Sequence, residues 1–349
     1  MATSHEPPGA TSAHDSSPLL TKETAPKLPL PQRLLTGLCL YSFKSVVYIG
    51  LRLLRFSNYL TKKAQPTFKN FYSVRPNLEV RVFVPPSHGS TSEPLPTYIN
   101  IHGGGFALCD PVVDDPFCHT LCHKHNCLVI SLSYSRSPRS PFPVAVQDIT
   151  ALIPAILADS TLPIDHGRVA LGGFSAGGNL ALAAAQSPLV GARLKAIVPV
   201  YPVVDFSGKY KGTFRTMPDG TQDVLKTTGA WFNWAYIPAG TRLSDPLLSP
   251  IYAERQSLPQ RALFIGCEFD VLCHEAHEMA KKLAGASAAK KDESEDWEEG
   301  GVRWLRVKGW RHGFTHTRER GEKERLRARA TEDLYAEMAK WLEGAFEEK

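Results

Sequence analysis

Short apolar runs alternate along the chain with longer stretches of helical period. Residues 97–101, 128–134 and 168–173 are short and rich in apolar side chains, which is typical of buried strands. Between them, residues 143–159 repeat apolar side chains every three or four positions, which predicts a helix. Because strands that alternate with helices favour parallel pairing and right-handed crossovers, the pattern predicts an α/β fold.

The flanks of this region extend the pattern. Residues 79–84 alternate valines with charged side chains, which predicts a half-exposed edge strand. Residues 261–270 and 302–307 predict two more strands, whereas the charged run 290–301 has no apolar period and predicts a solvated loop. A closing helix is predicted from apolar residues at helical spacing near the end of the chain: Leu334, Tyr335, Met338, Trp341 and Leu342.

The first part of the chain has a different character. Residues 1–31 are rich in Pro, Ser, Thr and Ala and can bury little surface, which predicts a disordered tail. An apolar run at 34–51 follows, with Lys44 near its centre. A central lysine costs about 2.5–3.5 kcal/mol on insertion scales, so this run is marginal for a membrane span. Residues 32–78 are therefore predicted to form either a helical cap or a membrane-associating segment.

The positive charge of this N-terminal segment makes a membrane surface a candidate partner. No acidic residue occurs between Glu23 and Glu79, although basic residues are frequent there. A basic segment with interleaved apolar residues can lie on an anionic membrane, so residues 33–63 are the candidate contact. Three alternatives stay open for this segment: a cap helix without lipid contact, interfacial attachment and a true span.

The totals narrow the class of protein. The chain has 349 residues, of which 43% are hydrophobic, enough for a large core. Its charge of +5 is mild and its basic residues form no aromatic-spaced patch, so we expect no nucleic acid partner. Seven cysteines do not suggest a disulfide framework, and the first apolar run begins only at Leu34. We expect a cytoplasmic protein, or one on the cytosolic face of an intracellular membrane.

Candidate chemistry begins at GGFSAGGN, residues 172–179. Ser175 lies two residues from Gly173 and two from Gly177, between an apolar strand and a helix-like run. Small residues at these two positions let the backbone turn sharply and lift the serine hydroxyl out of the sheet, as in a nucleophile elbow. Ordinary glycine-rich turns contain the same string, so the motif alone is a weak signal.

A second glycine-rich stretch, HGGGF at 102–106, follows the strand predicted at 97–101. Three consecutive glycines remove side chains from the approach to a ligand and leave backbone N–H groups free to point at it. A flexible loop is the alternative interpretation. In a parallel sheet, this loop and Ser175 lie at the carboxyl ends of neighbouring strands, where open α/β sheets bind ligands.

These motifs, together with FPVAVQD at 142–148 and YPVVD at 201–205, resemble the α/β-hydrolase superfamily. Within it, the chain resembles the hormone-sensitive-lipase-like esterases, the group that includes bacterial esterases and arylacetamide deacetylases. The resemblance runs from about residue 79 to the C-terminus. Two departures are Phe174, where many members carry an acidic residue, and SRSPRSP at 135–141, which replaces the usual loop that contains an acid.

The resemblance implies a mostly parallel central sheet flanked by helices over residues 79–349, with a helical cap inserted at 206–248. It implies that Ser175 attacks the carbonyl of a carboxylic ester, with no cofactor. Aromatic residues clustered at 231–236 are either a satellite core or the wall of an acyl pocket. The resemblance also assigns the surrounding residues: Gly104, Gly105 and Ala176 as oxyanion donors, Gly103 as shaping their loop, and His102, Gly173 and Gly177 as structural.

The acid and the base follow in the second half of the chain. Asp270 ends a predicted strand, where an acid can orient a histidine, and the resemblance favours it over Glu268 and Asp205. His312, in KGWRHGF, completes the order Ser, Asp, His that this fold requires. His316 is the nearest alternative base.

A cluster of cysteines and histidines at 118–127 raises the question of zinc. On a helix, the pair at 118 and 122 and the pair at 119 and 123 point in different directions, so we predict buried thiols and no metal site.

The sequence thus predicts a serine hydrolase of small carboxylic esters, with short to medium acyl chains. Amide or acetyl-ester deacetylation would use the same residues. A receptor that binds a small molecule on this fold without cleaving it is the alternative of another class, and the presence of His312 beside Ser175 and Asp270 disfavours it.

Overall fold

The computed structural model of the chain describes residues 23–61, 64–90, 93–213 and 215–347. The strands in these residues are β1 (Phe68–Asn70), β2 (Val80–Phe83), β3 (Leu95–Ile101), β4 (Leu128–Leu132), β5 (Ile164–Phe174), β6 (Ala196–Val200), β7 (Arg261–Cys267), β8 (Trp297–Glu299) and β9 (Val302–Val307). The α-helices are α1 (Leu30–Thr61), α2 (Asp115–His125), α3 (Val144–Leu157), α4 (Ala176–Ala185), α5 (Pro188–Gly191), α6 (Leu225–Tyr236), α7 (Cys273–Ala284) and α8 (Gly321–Glu347).

The strands of the described chain form one sheet in the order β1-β2-β4-β3-β5-β6-β7-β9-β8. Its centre, from β4 to β9, is parallel, and the pairs β1–β2, β2–β4 and β8–β9 are antiparallel. The central strands are apolar on both faces because helices cover both sides of the sheet. The predicted α/β fold with a mostly parallel sheet is therefore confirmed.

Two hydrophobic clusters lie on opposite faces of this sheet. One contains the buried side chains of α3, α4 and α7, and the other contains those of α2 and α8. The closing helix is confirmed, since α8 buries the five apolar residues that predicted it: Leu334, Tyr335, Met338, Trp341 and Leu342. The sheet is thus the middle of three layers, and its strand ends are held rigidly from both sides.

The prediction of an edge strand at 79–84 was wrong. Strand β2 lies between β1 and β4, and all four of its residues are buried. The alternation came from Arg81, whose Nε and Nη2 donate to Asp115 of α2 at 2.8 and 2.5 Å, while its Nη1 donates to Glu79 at 2.5 Å. A long-range ion pair lets a charged side chain occupy an interior position.

The charged run at 290–301 also contains structure that its composition hides. Residues Trp297–Glu299 form β8 and pair with β9. Trp297 is buried, and its Nε1 donates to Nε2 of His277 at 3.2 Å. One tryptophan among acidic residues thus adds a short edge strand to a segment that was predicted to be loop.

The N-terminal segment is ordered earlier than predicted. Residues 1–22 of the predicted tail lie outside the described chain, but Thr24 forms a β-bridge with Arg242 and the amide of Ala25 donates to Thr241 at 2.9 Å. Helix α1 then begins at Leu30. The tail boundary at residue 31 was therefore too late, because backbone bonds to a distant segment leave no trace in local composition.

Helix α1 packs against α6 of the insertion. Leu40 is fully buried there, Phe43 lies edge-on to Trp231 at a centroid distance of 6.2 Å, and Lys44 Nζ donates to the carbonyl of Ser137 at 3.0 Å. By length and composition alone, the Leu30–Asn58 part of this helix could cross a membrane. One of its sides is nevertheless committed to the rest of the protein.

Asp115→Ala should lower the free energy of unfolding by about 3 kcal/mol or more, because it leaves the buried Arg81 guanidinium with only Glu79 as an anionic partner. Glu322→Ala is the matched control, since its pair with Arg325 is more than two-thirds exposed on both sides and should contribute at most about 0.5 kcal/mol. Urea unfolding measures both. Equal losses in the two variants would contradict the proposed weight of the buried pair.

Candidate active site

The candidate residues meet at the carboxyl edge of the parallel strands. Strand β3 leads into the glycine loop at 102–106, and β5 leads directly into Ser175. Asp270 follows β7, and His312 follows β9. Since all four strands run in the same direction, residues far apart in sequence meet at one edge of the sheet.

Ser175 has a left-handed backbone, with φ 54° and ψ −116°, between β5 and α4. A side chain rarely adopts this conformation, so the neighbouring packing must hold it. A Cβ at Gly173 would lie 2.4 Å from the carbonyl oxygen of Ile101, and one at Gly177 would lie 2.0 Å from the same atom. The two glycines let the turn press against β3, and the Ser175 amide donates to Val200 O at 2.9 Å.

Ser175, His312 and Asp270 form one hydrogen-bonded chain. Ser175 Oγ lies 2.8 Å from His312 Nε2, and His312 Nδ1 lies 2.7 Å from Asp270 Oδ2. The second oxygen of Asp270 accepts a bond from the amide of Leu272 at 2.8 Å, which fixes the carboxylate. All three side chains are buried. This arrangement is able to pass the Ser175 proton to an oriented imidazole.

The charges around His312 favour a basic imidazole. Burial works against the imidazolium form of His312, but the Asp270 carboxylate outweighs it and raises the pKa of His312 above its ordinary value of 6.5. The charge of Asp223 acts in the same direction. A more basic Nε2 accepts the Ser175 proton more readily.

The glycine loop turns its backbone toward Ser175. Gly104 and Gly105 have φ of 116° and 57°, and a Cβ at Gly104 would lie 2.6 Å from the carbonyl oxygen of Leu108. A Cβ at Gly103 would lie 3.5 Å from the Cβ of Ser175. The amide of Ala176 begins α4, where first-turn N–H groups have no intrahelical acceptor.

His102 supports this loop from behind. Its Nδ1–H donates to the carbonyl of Gly103 at 2.7 Å, and its ring stacks on Tyr134 at 4.4 Å. Burial lowers the pKa of His102 to about 4, so the ring is neutral at neutral pH.

A cavity of about 300 Å³ opens at Ser175. Its wall is mainly apolar and comes from the glycine loop, the segment after β6 and α6: Phe106, Val203, Phe206, Leu225 and Phe232. Phe232 lies against the glycine loop, since a Cβ at Gly105 would fall 2.5 Å from its ring. In contrast, Tyr236 of the same helix is fully buried and stacks on Phe106 at 3.7 Å. The aromatic cluster therefore serves both as core and as pocket wall.

The alternative acids and base have other partners. Asp205 accepts bonds from the amides of Ser207 and Tyr210, and Glu268 pairs with Arg306 at 3.2 Å. His316 Nε2 lies 2.8 Å from Asp114, and its ring lies edge-on to Phe174 at 4.8 Å. A metal site is not formed by the part of the chain that the structure describes, where no three potential ligands are close enough together. His119 and His123 of α2 stack on each other instead.

The departures from the family pattern have local explanations. Phe174 is buried edge-on against Phe117 at 5.0 Å, so an apolar residue suits the position before the serine. Ser137, within the atypical loop at 135–141, donates its amide and its hydroxyl to the carbonyl of Phe106, at 2.9 and 3.2 Å. This loop thus helps to support the glycine loop.

The sequence did not single out two buried carboxylates near the site. Glu275 of α7 accepts bonds from the amides of Val204 and Asp205 at 2.7 and 3.2 Å, and burial raises its pKa well above the usual range. Asp223 lies in the insertion and contacts the residue next to Asp270. Glu275 and Val204, and Asp223 and Val271, lie more than forty positions apart in the chain, so only the fold reveals these contacts.

The sheet, the strained turn and the glycine loop define an α/β-hydrolase. A family model described as alpha/beta hydrolase fold matches residues 98–304, more than half of the chain, and the chain belongs to this family, in its hormone-sensitive-lipase-like branch.

Two proteins that are similar in sequence have names that describe hydrolases. The carboxylic ester hydrolase LipN of Mycobacterium tuberculosis is 33% identical over 61% of this chain and 57% of its own length. An acetyl-hydrolase of Streptomyces hygroscopicus is 32% identical over 58% of this chain and 66% of its own. The chain thus spans less than two thirds of the length of either relative.

Solved structures agree in fold. The thermophilic carboxylesterase EstE1, cloned from a metagenomic library, superimposes with a TM-score of 0.69 at 23% identity, over 88% of this chain and 98% of that one. An esterase of the archaeon Pyrobaculum calidifontis gives a TM-score of 0.67 at 22% identity, over 92% and 99%. At these identities the likeness supports the fold alone.

An NMR titration should give His312 a pKa above 6.5, because the carboxylate of Asp270 stabilises its imidazolium form. Asp270→Asn should lower that pKa, and a His312→Asn spectrum assigns the signal. A pKa of His312 that stays unchanged in Asp270→Asn would show that the 2.7 Å contact does not govern the imidazole.

Proposed function

We propose that the protein is a serine hydrolase of carboxylic esters. The observation that carries the proposal is the hydrogen-bonded chain from Ser175 Oγ through His312 to Asp270, which opens into an apolar cavity. The names of the relatives, carboxylic ester hydrolase and acetyl-hydrolase, support the same reaction class. The chemistry requires no cofactor.

The reaction begins when Ser175 Oγ attacks the ester carbonyl and its proton passes to His312 Nε2. Asp270 holds Nδ1–H and stabilises the imidazolium. The tetrahedral intermediate then collapses: the bond from carbon to the leaving oxygen breaks, and His312 gives its proton to the departing alcohol. Water attacks the acyl-serine with His312 again as base, which releases the acid and restores Ser175.

The negative oxygen of each tetrahedral intermediate is assigned to the amides of Gly104, Gly105 and Ala176. Each such donor contributes about 3–4 kcal/mol to transition-state stabilisation in enzymes of this type. The position of the loop supports the assignment, since Gly105 and Ala176 line the cavity and a Cβ at Gly103 would lie 3.5 Å from the Cβ of Ser175. In this scheme Gly103 shapes the loop, while His102, Gly173 and Gly177 hold it and the elbow in place.

The cavity favours short to medium acyl chains. Its volume of about 300 Å³ and its wall of Phe206, Leu225 and Phe232 suit a small apolar group. Acetyl esters and amides fit the same residues and differ only in the leaving group. The complete Ser175–His312–Asp270 chain argues against a receptor that binds without cleavage, because binding does not need a base.

Ser175→Ala should reduce kcat/KM for p-nitrophenyl butyrate by roughly 10⁴-fold or more, since no other group replaces the nucleophile. Ser187→Ala is the matched control, because Ser187 directly precedes α5 and its side chain makes no capping hydrogen bond. Circular dichroism checks that both variants fold, and a fluorophosphonate probe should label the wild type and the control but not Ser175→Ala. Unchanged turnover in Ser175→Ala would remove the assignment.

We propose in addition that α1 attaches the protein to the cytosolic face of an intracellular membrane. Leu38 and Leu40 are two positions apart, as are Ile49 and Leu51, so the members of each pair lie about 200° apart around the helix. Leu40 and Leu51 are buried against the protein, whereas Leu38 and Ile49 are more than 60% exposed. The outer side continues with other residues that are more than half exposed: Leu34, Tyr41, Val46, Leu53, Phe56 and Leu60.

Two polar contacts support attachment in the membrane plane rather than a span. Lys44 donates to Ser137, and Arg55 pairs with Asp110 at 2.6 Å. Helix α1 is therefore held against the rest of the protein at two points along its length. A spanning helix would have to break these contacts. The absence of acidic residues from 24 to 78 suits an anionic leaflet, and the seven cysteines, all unpaired, suit a reducing compartment.

Changing Leu38, Ile49 and Phe56 together to Gln should lower binding to phosphatidylcholine–phosphatidylserine vesicles by at least about tenfold, since three apolar contacts are lost. Leu189→Gln with Leu326→Gln is the matched control, because both leucines are more than half exposed elsewhere on the surface. Vesicle flotation measures binding, and pure phosphatidylcholine should bind more weakly. Wild-type protein that floats with neither vesicle would contradict attachment, and resistance to carbonate extraction from cells would indicate a span instead.

A further inference from the structure

The buried carboxylate of Asp223 connects two parts of the site that are otherwise separate. It lies between β6 and β7, two residues before the start of α6 at Leu225, and is only 3% exposed. Its Oδ1 accepts a bond from the amide of Leu225 at 2.8 Å, and its Oδ2 accepts one from the amide of Val271 at 3.0 Å. A carboxylate removed from water in this way needs such donors, so its position is closely defined.

The first partner belongs to the wall of the cavity. Leu225 begins α6, and Leu225, Gly229 and Phe232 of this helix line the cavity beside Ser175. Asp223 accepts from the amide of Leu225, a first-turn amide that has no acceptor within the helix. It also places a negative charge at the helix N-terminus, where charge of that sign is stabilising.

The second partner, the amide of Val271, lies in the loop that carries Asp270. Val271 directly follows Asp270, and the next amide, that of Leu272, donates to Asp270 itself at 2.8 Å. The two amides after Asp270 are therefore held by two carboxylates, one from the insertion and one from the loop itself. Movement of Asp223 would shift the Asp270 loop, and with it the oxygen that lies 2.7 Å from His312.

We infer that Asp223 is a positioning residue for the ester-cleaving site, which couples the pocket wall of α6 to the loop of Asp270. The inference rests on the proposed function. It goes beyond a capping role, because a cap alone would contact only α6. Through Asp223, the segment that carries α6 contributes to the geometry of the acid–base pair as well as to the shape of the pocket.

The charge of Asp223 gives this role a specific signature. The charged groups that bear on His312 are Asp270, from the loop after β7, and Asp223, from the segment before α6. Tyr201 contributes a ring at 4.9 Å, and Ser175 contributes its hydroxyl. Both carboxylates stabilise the imidazolium, so loss of one charge lowers the pKa of His312. Because only neutral His312 can act as base, the acidic limb of the pH profile then moves to lower pH.

The test compares Asp223→Asn and Asp223→Ser with the control Asp219→Asn. Asn removes the charge, and its amide group can accept only one of the two bonds; Ser can still accept from Leu225 but is too short for Val271. Asp219 is in the same insertion and accepts a bond from the amide two residues on, that of Thr221, at 2.9 Å, but its ion pair is with Lys323 of α8.

Three readouts are measured: kcat against pH, kcat/KM against pH, and the His312 pKa by NMR. Asp223→Asn should lower both the midpoint of the acidic limb and the NMR pKa, with kcat reduced by roughly tenfold to a hundredfold through the displaced acid. Asp223→Ser should lose kcat similarly although α6 keeps its cap. Asp219→Asn should match the wild type in every readout.

A wild-type midpoint together with a kcat within about twofold of wild type in Asp223→Asn would overturn the inference. An equal shift in Asp219→Asn would also overturn it, since the effect would then be a general consequence of charge. Failure of the proposed function has a different signature, namely equal turnover in wild type and Ser175→Ala. In that case the NMR pKa of His312 still decides whether Asp223 acts on the imidazole.

Discussion

The left-handed backbone at Ser175 is the constraint on which the rest of the site depends. It is stable only because Gly173 and Gly177 leave no atoms between the turn and the carbonyl of Ile101. That contact requires β3 and β5 to be adjacent and parallel, and it brings the glycine loop after β3 beside the serine. The same parallel order carries Asp270 and His312 to this edge, so the strain at one residue is supported by the packing of the whole sheet.

Much of this could be predicted from local signals. Alternating apolar runs predicted the parallel sheet, and the family resemblance grouped Ser175, Asp270 and His312, which the structure brings within hydrogen-bond distance. Sequence reasoning failed where a partner lies far away in the chain. Arg81 suggested an edge strand because its interior partner Asp115 is contributed by a helix, and Trp297 was hidden within a charged run. Local periodicity carries no information about such contacts.

The insertion is the element for which sequence reasoning was least specific. Its polar composition left α6 open as core or as pocket wall, and the structure shows that residues one turn apart take different parts: Tyr236 packs on Phe106 while Phe232 lines the cavity. Helix α1 covers the other side of α6 through Leu40 and Phe43. The wall of the cavity is therefore held between the glycine loop and helix α1, and its position depends on both.

The contact between Gly105 and the ring of Phe232 has a consequence for how this protein can diverge. The glycine loop and α6 touch at this point with no room for even one extra carbon. A larger residue in the loop would need a smaller one on the helix, and a helix moved to widen the pocket would leave a gap at the loop. Substitutions at Gly105 and Phe232 are therefore coupled, because a change at either position alters the space that the other residue occupies.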